Sequence, residues 1–206
     1  MSSTHDSSKA AAVPKTRDGF EVLDACHQEI LLTLNQLDSL VLRLGSGGPD
    51  GQARTMAGEI DRFFANTARQ HHEDEERHVF PALLASGDPE IVQAVQRLQQ
   101  DHHWIDADWR ELGPQLDAVA DGQSWCDLDV LREGVEIFAA LLHDHIALEE
   151  SVIYPQARAR LRTGELREMG REMAARRRAE RKTESTSDAR ADAPESSAHR
   201  QRETRR

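Results

Sequence analysis

Apolar residues recur along this chain in alternating steps of three and four, the period of one buried face on an α-helix. Phe20, Leu23, His27, Ile30, Leu34, Leu37, Val41 and Leu44 form the first stripe. It predicts a helix that starts near Thr16 to Asp18, with Asp18 as its cap, and that ends in the Gly45-Ser46-Gly47-Gly48-Pro49-Asp50-Gly51 run. A second helix is predicted from about residue 52 into the Phe80-Pro81 region, with Ile60, Phe64, Thr67, His71 and Glu75 on its stripe. Pro81 is expected to end or kink it, leaving room for one more turn before Gly87. Asp88-Pro89 reads as the cap and first position of a third helix whose seam runs from Ile91 through Leu98, His102, Ile105 and Trp109 to Val119, with a kink expected at Gly113-Pro114. After Asp121-Gly122 a fourth helix carries Leu131, Val135, Phe138, Leu142, His145, Glu149 and Val152 on one face.

Four amphipathic helices with short connections predict an all-α fold, an up-down-up-down antiparallel four-helix bundle. Residues 1–16 read as a disordered lead, residues 17–160 as the bundle, and residues 161–206 as a charged tail that is helical at first and disordered later.

The seams contain residues that do not belong in an apolar core. His71 is followed four residues on by Glu75, and the phrase returns as His145 and Glu149, each time with a second glutamate (Glu76, Glu150), an aliphatic-aromatic pair and a proline. A Phe stands seven residues before each of these histidines, Phe64 and Phe138, and the lone seam histidines His27 and His102 extend the repeat. Residues four apart share one helix face, so each His-x-x-x-Glu offers a nitrogen and an oxygen to one locus, and His27 and His102 supply further nitrogens. A buried polar side chain costs stability unless it is paired, and a shared cation satisfies all six together. Packing alone does not require His and Glu at offsets of 74 and 75 residues. His72, His78, His103 and His143 lie off the stripes and are expected at the surface or outside the ligand set, while His5 and His199 fall in the tails.

Charge and cysteine usage narrow the partners. The net charge is −11, but 15 of the 26 Lys and Arg residues lie in residues 156–206 against nine acids there. The body before them is strongly acidic and should repel nucleic acid and anionic membrane. Cys26 and Cys126 form no metal or redox motif, no apolar signal segment opens the chain, and a cytoplasmic, reducing compartment is expected. The Arg176-Arg177-Arg178 run, interspersed with acids, reads as a solvated helix end.

These motifs resemble the hemerythrin-like, or HHE cation-binding, domains over about residues 18–160. The resemblance implies a non-haem centre of two iron ions, with manganese or zinc as other occupants, held by His27, His71, Glu75, His102, His145 and Glu149, both glutamates bridging. Oxygen-carrying members have a fifth histidine one turn after the third-helix ligand; here that place is Asp106, expected either as a seventh ligand or as the acceptor of a hydrogen bond from a coordinated water. The function expected is binding or sensing of a small diatomic ligand or oxidant such as dioxygen, nitric oxide or peroxide. A di-iron enzyme or an iron donor for repair of iron centres is the alternative, and a metal-free helical interaction module is a third class.

Overall fold

In a computed structural model, residues 17–123 and 127–191 are described, with side chains given up to residue 179 and for Lys182. The N-terminal lead, Cys126, His5 and His199 lie outside them. The described chain is helical, and no strand occurs among the described residues.

Helix α1 spans Gly19–Gly47, α2 Gly51–Arg62, α3 Arg69–His78, α4 Phe80–Leu84, α5 Pro89–Ala120, α6 Leu128–Leu148, α7 Tyr154–Arg158 and α8 Thr163–Ala191. Two π-helical segments, Phe63–Ala68 and Glu149–Ile153, join α2 to α3 and α6 to α7 without a break. Aspartates start the four principal helices. Asp18 closes a capping box with Glu21, and Asp50, Asp88 and Asp127 each accept from backbone amides of the first turn of α2, α5 and α6. Pro81 acts as its position predicts: α3 stops at His78, Val79 turns the chain, and α4 adds one short helix. Pro114, by contrast, lies inside an uninterrupted α5.

α1 packs on α2 and α6, and α5 packs on the same two, so the four principal helices close a ring around one core. The core has two apolar layers. One is built around Ile30, Leu37, Phe64, Ile105, Phe138 and Leu142, the other around Phe20, Leu23, Phe80, Leu98, Ile153 and Tyr154. Between them, one turn along each helix, lies a layer of buried histidine and glutamate. Phe64 and Phe138, the repeated phenylalanines, meet edge to face at 5.0 Å beneath that layer.

The charged tail expected from residue 161 is a packed element at its start. α8 lies on α1 and buries Met169 and Met173 in the second apolar layer. Gly170 permits the approach, since a Cβ there would lie 2.2 Å from the Arg17 carbonyl oxygen. Arg176 and Arg177 are not solvated as the sequence suggested: both pair with Asp74 of α3, whose side chain is buried, Arg177 at 3.6 Å. No helix among the described residues is long and apolar enough to cross a membrane.

Candidate metal centre

His27 comes from α1, His71 and Glu75 from α3, His102 from α5, His145 from the last turn of α6 and Glu149 from the π-helical segment that follows it. All six are at most 4 % exposed. The structure brings them together in a specific pattern. Glu75 Oε1 lies 3.4 Å from His71 Nε2, and its Oε2 lies 3.4 Å from His102 Nε2. Glu149 Oε1 lies 3.2 Å from His145 Nε2, and its Oε2 lies 3.1 Å from His27 Nε2. Each carboxylate thus spans two imidazoles from different helices. Two four-donor groups result, His27-His71-Glu75-Glu149 and Glu75-His102-His145-Glu149, with the donor atoms of each group within 4.8 Å of one another.

The second glutamate of each repeat has its own task. Glu76 Oε1 accepts from His102 Nδ1 at 2.8 Å, and Glu150 Oε1 accepts from His27 Nδ1 at 3.0 Å. Each lone histidine is therefore held by the Glu-Glu pair of the other repeat, which fixes its ring and presents Nε2 inward. Asp101 Oδ2 lies 3.8 Å from His145 Nδ1. The repeated aromatics cross over in the same way. Phe80 stacks on His102 at 5.6 Å, and Tyr154 stacks on His27 at 5.2 Å with ring planes 8° apart.

Two buried carboxylates so close do not share the electrostatic cost equally. Burial, reinforced by Glu149, pushes the Glu75 carboxyl up to about 7. At Glu149 burial is outweighed by His145 and His27, which hold its carboxyl well below the ordinary range. His145, although buried, is pushed up to about 10 by Glu149 and Asp101, whereas burial and the neighbouring imidazoles hold His71 and His72 well below theirs. Protonated imidazole is one means of balancing these carboxylates, and a cation is the other. A cation would engage together Nε2 of His71, His102 and His145, Glu75 Oε2 and Glu149 Oε1, which are buried without a hydrogen-bond partner. Imidazole nitrogen and carboxylate oxygen form a donor set suited to a divalent transition metal, so the residues present fit a metal ion.

A model of the hemerythrin HHE cation-binding domain matches residues 18–157, well over half of the chain. The chain belongs to the hemerythrin HHE cation-binding family. It is also similar to an uncharacterized protein of Haemophilus influenzae, 30% identical over 153 residues that cover 74% of this chain and 86% of that protein. The HHE match ends before α8, so the helix that pairs with Asp74 is an addition to the matched region.

Asp106 is not brought to this HHE cluster. Its side chain is 42 % exposed, lies 4.0 Å from Arg110 and belongs to neither four-donor group, so the six other expected ligands are brought together without it. Of the histidines expected at the surface or outside the ligand set, His103 and His143 are exposed, whereas His72 is buried against the cluster. Its counterpart in the other repeat, Ile146, is buried in the same way, and the ring of His72 is covered by His102, on which it stacks, and by His145. The Tyr154 hydroxyl donates to Glu75 Oε1 at 2.5 Å and so joins the site, a contact that the helical period of the sequence does not reveal. The signal for it was that the other repeat carries Phe80, an aromatic without a hydroxyl.

Proposed function

We propose that this protein holds two metal ions, iron above all, in one centre bridged by Glu75 and Glu149, and that it binds or senses a small diatomic ligand or oxidant. The reading includes an up-down-up-down order of the four principal helices, which their short connections favour. The observation that carries it is the double use of each carboxylate: every oxygen of Glu75 and Glu149 lies within 3.4 Å of a different histidine Nε2. Two metal loci sharing two bridges account for that arrangement, whereas one locus would leave half of the donors unused.

The chain's own residues supply the surroundings such a centre needs. Glu76 and Glu150 orient His102 and His27, and the apolar layers above and below exclude bulk water. Every donor is almost fully buried, which favours a small ligand over a bulky one. Iron in this centre supplies one-electron redox chemistry and affinity for dioxygen, nitric oxide or peroxide. The partner is accordingly a small molecule, and the acidic body disfavours nucleic acid and anionic membrane.

Metal analysis of the untagged protein, produced with ample iron, tests the central claim. Two iron ions per chain are expected; a folded, reproducibly metal-free protein overturns it, and manganese or zinc at the same stoichiometry overturns the choice of iron alone. Stopped-flow mixing with dioxygen, nitric oxide or peroxide then separates the roles. A reversible absorption change without consumption supports binding or sensing, and multiple turnovers favour an enzyme.

A further inference from the structure

The duplicated sequence makes two similar halves, and two of the positions at which they differ lie against the cluster. His72 in the first repeat corresponds to Ile146 in the second, and Phe80 in the first corresponds to Tyr154 in the second. Both members of each pair are buried, so these differences are not surface drift. An isoleucine at position 146 needs nothing beyond packing. A histidine at the matching place brings two ring nitrogens into the core, and His72 Nε2 has no hydrogen-bond partner there. Leaving such a nitrogen unpaired carries a desolvation penalty that an apolar residue would avoid.

The ring is also aimed. It stacks on His102 at 4.1 Å with planes 16° apart and meets His145 edge on at 5.4 Å. Donor nitrogens of His72, His102 and His145 lie within 4.8 Å of one another. On the other side, the Tyr154 hydroxyl stands 3.1 Å from His27 Nε2 and donates to the Glu75 oxygen that faces His71.

We infer that the two metal loci are chemically unequal, with His72 serving as a third imidazole for the His102-His145 locus while the His27-His71 locus keeps two imidazoles and a neighbouring phenol. This rests on the two-metal reading above. His72 shares a donor group with His102 and His145, which also form a group with Glu75 and Glu149, and an added imidazole on that side holds a divalent ion more tightly than the two imidazoles and carboxylates of the other locus. The His72 locus therefore fills first, and the two ions differ in ligand field.

The full-length chain, stripped of metal with a chelator and titrated anaerobically with cobalt(II), tests this by calorimetry and by the visible ligand-field bands. Two resolved binding steps are expected for the parent. In His72→Ile, which installs the residue of the other repeat, the tighter step weakens at least tenfold, its bands change, and the weaker step stays where it was. Where the isoleucine variant does not fold by circular dichroism, His72→Gln carries the same expectation. Two unchanged steps, or equal weakening of both, overturn the inference while leaving the two-metal centre standing. A folded parent that takes up no cobalt overturns the centre and this inference together.

Discussion

The Tyr154 hydroxyl donates to Glu75 Oε1 at 2.5 Å, joining residues 79 apart in the sequence at the middle of the buried polar layer. The ring that carries the hydroxyl stacks on His27, and its counterpart Phe80 stacks on His102 without any polar reach. Tyr154→Phe therefore removes one donor while keeping the ring. In the metal-free protein it should cost about 1–3 kcal/mol, since a buried carboxylate oxygen loses its partner. Urea unfolding measures this as a lower midpoint at unchanged slope, and an unchanged midpoint would show that the hydroxyl does not support Glu75.

Glu76 and Glu150 each hold the lone histidine of the other repeat by Nδ1. Glu76→Gln and Glu150→Gln are expected to weaken metal binding about 10–100-fold, the usual effect of losing a carboxylate behind a ligating histidine. Glu73→Gln, on the exposed face of α3, should leave affinity unchanged. Competition against a chromophoric chelator reads all three, and equal affinities throughout would remove the orienting role.

His71→Ala and Glu149→Ala should each lose at least one metal ion per chain, because both side chains are buried donors of the cluster. His103→Ala and His143→Ala, exposed on α5 and α6, should keep the parent's content. Elemental analysis decides, and loss in all four would mean that neighbouring histidines exchange roles.

Asp74 ties α8 to α3 through Arg176 and Arg177, each about a quarter exposed or less. Breaking one side of a largely buried pair typically costs about 3 kcal/mol or more. Asp74→Ala should accordingly lower the melting temperature and release α8, so that trypsin cuts at Arg176, Arg177 or Arg178 well before it cuts the bundle. Equal cutting rates in parent and variant would place the attachment of α8 elsewhere, on Met169 and Met173.

Asp50 offers a pH test away from the centre. A hydrogen-bonded pair with Arg43 and an amide donor from Ala53 hold its carboxyl down at about 2, below the ordinary 3.8. A carboxylate with a depressed folded pKa stabilises the protein above its unfolded pKa and loses that contribution as pH falls towards the folded value. Asp50→Asn keeps a capping oxygen but not the charge. The gap in melting temperature between parent and variant should stay constant from about pH 7 to about pH 5 and shrink below about pH 4. A gap that grows with acid reverses the assignment.

The sequence by itself determined the stripes of the principal helices and the inward place of His27, His71, Glu75, His102, His145 and Glu149 on them, because a residue's face on a regular helix follows from its number alone. It did not determine the place of His72, because whether two adjacent helical positions are both covered depends on the neighbouring helices, and here His102 and His145 cover His72 beside the buried His71. Nor did it determine that Asp106 stays outside the two four-donor groups, since a position one turn from a ligand fixes the helix face only to within the reach of the side chain. The crossed grip of Glu76 on His102 and Glu150 on His27, the Tyr154 hydroxyl on Glu75 and the clamp of Arg176 and Arg177 on Asp74 all join separate helices. Periodicity reports which face of a helix is inward but not which neighbour it meets, so only the packing of one helix on another decided those contacts.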